Sequence, residues 1–237
     1  MFKPAGLLVR HLFGVICTLC GVRIPPGMAS PICDHCLTVL PWNPAACRVC
    51  GLPNETGFAD CGRCPEGWAI SETIAPLLYQ TCAADWVISA KRQAGVKQAA
   101  LLGYMLAEAA VEHLRCSPAV PPPDYLIPVP LSWRRLTHRG HNQAVLIARP
   151  VSRATSIPLL VNAVRRSRHT PIQPLAPSRE SNVSQAFTNH HTWHGERVVV
   201  IDDVMTSGAT VNAIANLLKS NGAGDVFAWC STRAVGN

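Results

Sequence analysis

A chain of 237 residues that is 48% hydrophobic and only 15% charged carries enough apolar material to bury a core, which excludes disorder as its main state. No apolar run reaches the roughly 18 residues that a membrane span needs. Lys plus Arg number 21 against 14 Asp plus Glu, a formal +7, and Arg supplies 17 of the 21. That bias favours bidentate contacts with phosphate or carboxylate over simple solubility.

The chain opens on its cysteines. Eight of the 11 form four CxxC pairs: Cys17/Cys20, Cys33/Cys36, Cys47/Cys50 and Cys61/Cys64. Arg10 and His11 interrupt the apolar start from Leu7 to Ile16, so an export signal is not expected. A cytoplasmic, reducing compartment follows, where clustered thiols are metal ligands rather than disulfides. Two structural zinc ions are the expected load, with iron–sulfur ligation as the chemical alternative. Sequential pairing of the CxxC motifs is favoured over interleaving, although spacing alone leaves both open. A divalent ion held by four thiolates is a net dianion, so two such sites bring the chain from +7 to nearer +3. Residues 1–66 are too rich in Cys, Pro and Gly to build a core of their own, and metal would supply the missing folding energy. They are expected as a double zinc-binding module ahead of a second domain over 67–237.

The texture changes after Trp68. A short strand is predicted over Thr73–Tyr79, then helices over Ala83–Ala90 and Val96–Arg115. Prolines 118 and 121–123 form a linker. Then follow a strand at Tyr125–Val129, a turn-rich basic loop over 130–143, a helix at Asn142–Ala154 kinked at Pro150, and a strand at Leu159–Val164. The last elements are a strand at Arg197–Val204, a helix at Thr210–Ser220 and a strand at Asp225–Ser231. Strands alternating with helices imply a parallel α/β sheet. Residues 125–197 hold ten Arg and no Lys against Glu180 and Glu196, which locates the anion-binding potential in this half.

The most informative stretch is Val198-Val199-Val200-Ile201-Asp202-Asp203-Val204-Met205-Thr206-Ser207-Gly208-Ala209-Thr210. Four β-branched residues make a buried strand, and two acids sit at its carboxyl end. A small-residue loop then opens into a helix, whose first amides form a phosphate cradle. Adjacent acids in a strand point to opposite faces, which suits a pair of sugar hydroxyls or a bound metal better than an acid/base couple. Arg134, Arg135 and Arg139 in the basic loop are suited to bidentate phosphate contacts. Trp133 beside them either packs at the loop base or stacks an unpaired base.

The stretch resembles the signature of type I phosphoribosyltransferases, which bind phosphoribosyl pyrophosphate (PRPP). The resemblance implies that Asp202 and Asp203 contact the ribose at the catalytic centre, and that Thr206, Ser207, Gly208, Ala209 and Thr210 hold the 5-phosphate. Ile127-Pro128-Val129-Pro130-Leu131, Arg134, Arg135, Arg139-Gly140-His141-Asn142-Gln143, Gln173, Arg179 and the cysteine array are similar to the ComF/GntX family. The family resemblance implies a type I phosphoribosyltransferase-like parallel sheet flanked by helices, preceded by a small double zinc-ribbon-like module. It makes Arg134, Arg135 and Arg139 the pyrophosphate or nucleic-acid loop, and places Gln173 and Arg179 in a mobile hood over Arg165–Phe187. It also implies Mg²⁺ with PRPP, and single-stranded DNA and DNA-uptake proteins as partners. His141 stands where the family usually has Phe, and Arg92 follows Lys91 where an aromatic is common. Lys91 and His141 are the weak candidates for a base. Three functions fit these marks: PRPP binding with single-stranded DNA handling in natural transformation, an active phosphoribosyltransferase that releases pyrophosphate, and a non-catalytic zinc-dependent adaptor. The first accounts for the whole chain.

Overall fold

The computed structural model describes residues 15–25, 30–54, 61–62, 64–117, 120–166 and 186–236. The chain divides into two compact units, residues up to Leu40 and residues from Pro41 onward. Residues 1–66, expected as one module, are thus shared between the two units, and the second pair of CxxC motifs belongs to the larger one.

In the first unit, β1 (Val15–Ile16) and β2 (Arg23–Ile24) pair antiparallel, followed by the short helix α1 (Asp34–Thr38). The turn between β1 and β2 is a knuckle. The Cys17 N–H donates to Val22 O at 2.7 Å and the Gly21 N–H to Cys17 O at 2.9 Å. The larger unit opens on the same device: the Cys47 N–H donates to Leu52 O at 2.7 Å and the Gly51 N–H to Cys47 O at 2.8 Å. These bonds close each knuckle into a tight turn around its cysteines, where bound metal would supply folding energy that so short a segment otherwise lacks.

The five-stranded sheet of the larger unit is built from β3 (Glu72–Ile74), β4 (Leu77–Leu78), β5 (Tyr125–Pro128), β8 (Val198–Met205) and β9 (Val226–Arg233). Its order is β3-β9-β8-β5, with β4 also on β9, and every pairing is parallel. All carboxyl ends therefore lie along one edge. Pro76 separates β3 from β4, dividing the single strand predicted over Thr73–Tyr79. β9 is buried throughout and β8 over its first four residues, as expected for strands covered on both faces. Helix α6 (Ala209–Ser220) covers one face, where Val211, Ile214 and Leu218 join Val198, Val200 and Ala228 in one core cluster. On the opposite face Ser231 Oγ donates to Leu102 O in helix α3 (Val96–Cys116).

Helix α2 (Thr81–Ala90) buries Ala83, Trp86, Val87 and Ala90, one stripe at helical spacing. Helix α5 (Gln143–Thr155) buries Gln143, Ala144, Ile147, Ala148 and Val151 and runs through Pro150. Two sequence expectations here need correction. The basic loop contains helix α4 (Trp133–Arg139), which has no buried residue and so offers no apolar period to read. The strand expected over Leu159–Val164 shrinks to a single parallel bridge, Leu126 with Leu159, because the chain turns at 161–163. Val164 instead opens β6 (Val164–Arg166), which pairs antiparallel with β7 (Phe187–Asn189). The strand expected over Arg197–Val204 is observed as Val198–Met205, one residue further along the chain, with Asp202 and Asp203 near its carboxyl end as expected.

Helices α3 and α5 meet at Gly103, where an added Cβ would lie 2.6 Å from Ile147 O and 3.1 Å from Pro150 Cγ. Both close contacts come from α5, which leads out of the basic loop. Gly103→Ala is therefore expected to force the helices apart and cost about 1–3 kcal/mol, read as a lowered urea midpoint. An unchanged midpoint would show that the helices separate freely.

Candidate functional site

Three segments converge at the carboxyl edge of the sheet: the end of β8 with the turn into α6, the loop from β5 to α5, and the turn after α2. The first is shaped by Gly208, the N-cap of α6, in left-handed backbone at φ 76°. A Cβ there would overlap the ring of Trp68, so glycine is required both by φ and by the close approach. Thr206 and Ser207 are exposed, while Ala209 and Thr210 are partly buried. Gly208 O accepts the Asn212 N–H at 2.9 Å, and Ser207 Oγ approaches the Ala209 N–H at 3.4 Å. By helix geometry the first-turn amides have no intrahelical acceptor. An anion at this end gains both hydrogen bonds and the helix dipole.

The acidic pair splits across the strand. Asp202 continues the face of Val198 and Val200, and Asp203 that of Val199 and Ile201. Asp203 is buried, with its Oδ2 3.2 Å from Lys91 Nζ. Asp202 is partly buried and accepts the Asp203 N–H at 2.8 Å. Burial, then the neighbouring Asp203 carboxylate, push the Asp202 carboxyl well above the ordinary range. A cation or a hydroxyl donor at Asp202 would relieve that cost. The site thus presents hard oxygen donors of the kind Mg²⁺ takes.

The β5–α5 loop is closed by Asn142. Its Nδ2 donates to Val129 O at 3.0 Å, and its Oδ1 accepts the Ala144 N–H at 3.0 Å. Within the loop, Trp133 is 67% exposed, and Arg134 and Arg135 are exposed beside it. Arg139 is partly buried and donates to Gln143 Oε1 at 3.1 Å. Burial and the Arg135 charge lower its pKa, while Asp203 opposes them. The turn after α2 lies against the same loop: His141 Nε2 is 2.9 Å from Ala90 O, and Gln93 Nε2 donates to His138 O at 3.1 Å.

Lys91, weighed in the sequence only as a base, is thus the counter-ion of Asp203. Trp68, on the back of the turn at Gly208, gave no sequence signal, since no periodicity surrounds it. Gln173 and Arg179 of the expected hood lie outside the described residues. His190 and His194 are exposed and His191 stacks on Trp193 at 4.4 Å. Among the described residues the grouped metal-ligating side chains are two sets of four cysteines, 17/20/33/36 and 47/50/61/64, the sequential pairing. The sulfurs approach at 3.7 Å for Cys20–Cys33, 3.6 Å for Cys47–Cys64 and 3.5 Å for Cys50–Cys61. Tetrahedral thiolates about 2.3 Å from zinc sit about 3.8 Å apart, so both sets fit that ion. Burial raises Cys17 and Cys47, but backbone N–H groups outweigh it and bring them to about 6 and about 7.

A model of the family described as phosphoribosyl transferase domain matches residues 141–231. The chain is similar along most of its length to DNA utilization protein YhgH of Shigella flexneri. The two are 34% identical over 232 residues, covering 93% of this chain and 97% of the other. Competence protein F of Haemophilus influenzae is 38% identical over 117 residues, 47% of this chain and 51% of that protein. Competence protein ComFC of Bacillus subtilis is 32% identical over 100 residues, 41% of this chain and 39% of that one.

Proposed function

The chain belongs to the ComF family of phosphoribosyltransferase-like proteins, and from that premise we propose that it binds PRPP with Mg²⁺ at the end of β8. The observation that carries this reading is the left-handed Gly208 at the start of α6, beyond a parallel strand that holds two carboxylates. The amides and hydroxyls of Thr206, Ser207, Gly208, Ala209 and Thr210 would take the 5-phosphate. Asp202 and Asp203 would accept from the ribose hydroxyls. Arg139, with Arg134 and Arg135 nearer solvent, would hold the pyrophosphate. Mg²⁺ bound with PRPP neutralises charge on the pyrophosphate. The two four-cysteine sets would hold structural zinc. Neither candidate base is free of other engagement: Lys91 pairs with Asp203 and His141 Nε2 is held at the Ala90 carbonyl. The reading is therefore PRPP binding, and transfer to an acceptor is not needed for it. PRPP with Mg²⁺ is expected to raise the melting temperature by mass action, and Asp202→Asn with Asp203→Asn to abolish the rise. An equal rise in that variant would move the site elsewhere.

A single-stranded DNA role is favoured by one further observation. Helix α4 presents an exposed aromatic, Trp133, beside exposed Arg134 and Arg135, a combination that stacks a base and neutralises its phosphates. Affinity for an oligonucleotide is expected to fall steeply with salt. Arg134→Ala with Arg135→Ala should flatten the slope by about 0.7 per lost phosphate contact. Binding unaltered in that variant would remove α4 from the interface.

A further inference from the structure

One buried cation joins the second cysteine set to the proposed phosphate turn. Arg233 ends β9 opposite Met205 and is only 4% exposed. Its Nε donates to Cys50 O at 2.8 Å, the carbonyl of a cysteine in the 47/50/61/64 set. Its Nη1 donates to Met205 O at 2.8 Å and to Thr206 O, the first residue of the turn, as well as to Ala234 O at 2.7 Å. The same guanidinium thus holds a knuckle carbonyl and the two carbonyls that lead into Ser207 and Gly208. No carboxylate pairs with it among the described residues. A metallated tetrathiolate, a net dianion, would supply the missing counter-charge close by.

Two other contacts run the same way. Trp68, four residues beyond Cys64, packs its ring on Gly208, and the next residue, Ala69, donates its N–H to Asn212 Oδ1 at 2.7 Å. Gly51 closes the knuckle against Arg233 itself: a Cβ at Gly51 would lie 3.6 Å from Arg233 Cδ and 2.8 Å from Thr73 Cγ2. The rear of the phosphate turn is therefore made of the second knuckle and the segment leaving it.

We propose that Arg233 is a positioning residue that links metal occupancy of the Cys47/Cys50/Cys61/Cys64 set to sugar-phosphate binding at residues 206–210. The proposal rests on the PRPP reading above. Metal fixes the Cys50 carbonyl, Arg233 transmits that position to Met205 and Thr206, and the amides beyond them are held ready for an anion. Coupling of this kind is reciprocal, so a bound phosphate must tighten the metal by the same factor. A lysine has one donor centre in place of the guanidinium fork and cannot reach the carbonyls on both sides at once.

The test uses the full zinc-loaded chain and a chromophoric chelator selective for zinc over magnesium. Zinc affinity is measured by equilibrium competition with and without saturating PRPP and Mg²⁺. A Cys17→Ser, Cys20→Ser variant identifies which component belongs to the second set. PRPP is expected to tighten that component about fivefold or more and to leave the first set unchanged. Arg233→Lys is expected to keep both metals while losing the effect of PRPP on zinc. A merely structural Arg233 would change stability without changing that dependence. Should PRPP not bind the unmodified chain, the reading above fails and this coupling with it. If PRPP binds but zinc affinity in the unmodified chain does not move, the coupling alone is overturned, whether or not the lysine variant folds. Full coupling retained in Arg233→Lys would remove Arg233 from the link.

Discussion

A helix that starts at the end of a buried parallel strand leaves its first amides without backbone partners, and they must be met by solvent or by a ligand. The site described here depends on that deficit. Gly208 shapes the turn, because its left-handed backbone turns the chain sharply and its missing side chain makes room for the Trp68 ring behind it. Trp68 packs against the rear of that turn. The carboxylates of Asp202 and Asp203 precede those amides in the same strand and turn.

Two different sources of cohesion meet at this point. The sheet holds itself by burying Val198, Val199, Val200 and Ile201 against helices on both faces, each such side chain contributing about 1.5–3 kcal/mol. The cysteine knuckles bury few apolar side chains, and metal–thiolate bonds would supply their cohesion. In the larger unit the two sources are not independent. Besides Arg233, Thr73 in β3 is held by the second knuckle: its N–H donates to Arg48 O at 2.7 Å and its Oγ1 to Val49 O at 2.6 Å. The knuckle is therefore a layer on the sheet's edge strand as well as the wall of the turn.

The contrast between what could and could not be read in the sequence has a physical basis. The β8–turn–α6 unit was legible because a four-residue β-branched run, two acids and a small-residue turn leave few other folds. The helices α3 and α5 were legible through their apolar periods, and the parallel sheet through the alternation of elements. Helix α4 was not, because none of its residues is buried and surface helices carry no stripe. The strand at Leu159 stops after one bridge to Leu126, because an apolar run does not show that the chain turns at 161–163. Arg233 was invisible for another reason. The strand predicted over Asp225–Ser231 stops two residues short of it, and its partners come from Cys50 and Thr206, remote in sequence. The role of Lys91 likewise needed the fold, since nothing local joins it to Asp203, far along the chain.

The central claim is that the amides of residues 206–210 meet a sugar phosphate. Backbone amide resonances of the ¹⁵N-labelled chain, followed during titration with PRPP and Mg²⁺, test it most directly. The largest shifts are expected at Thr206, Ser207, Gly208, Ala209 and Thr210, saturating together with one binding constant. Resonances there that stay still while others move, or that stay still throughout, would contradict the account.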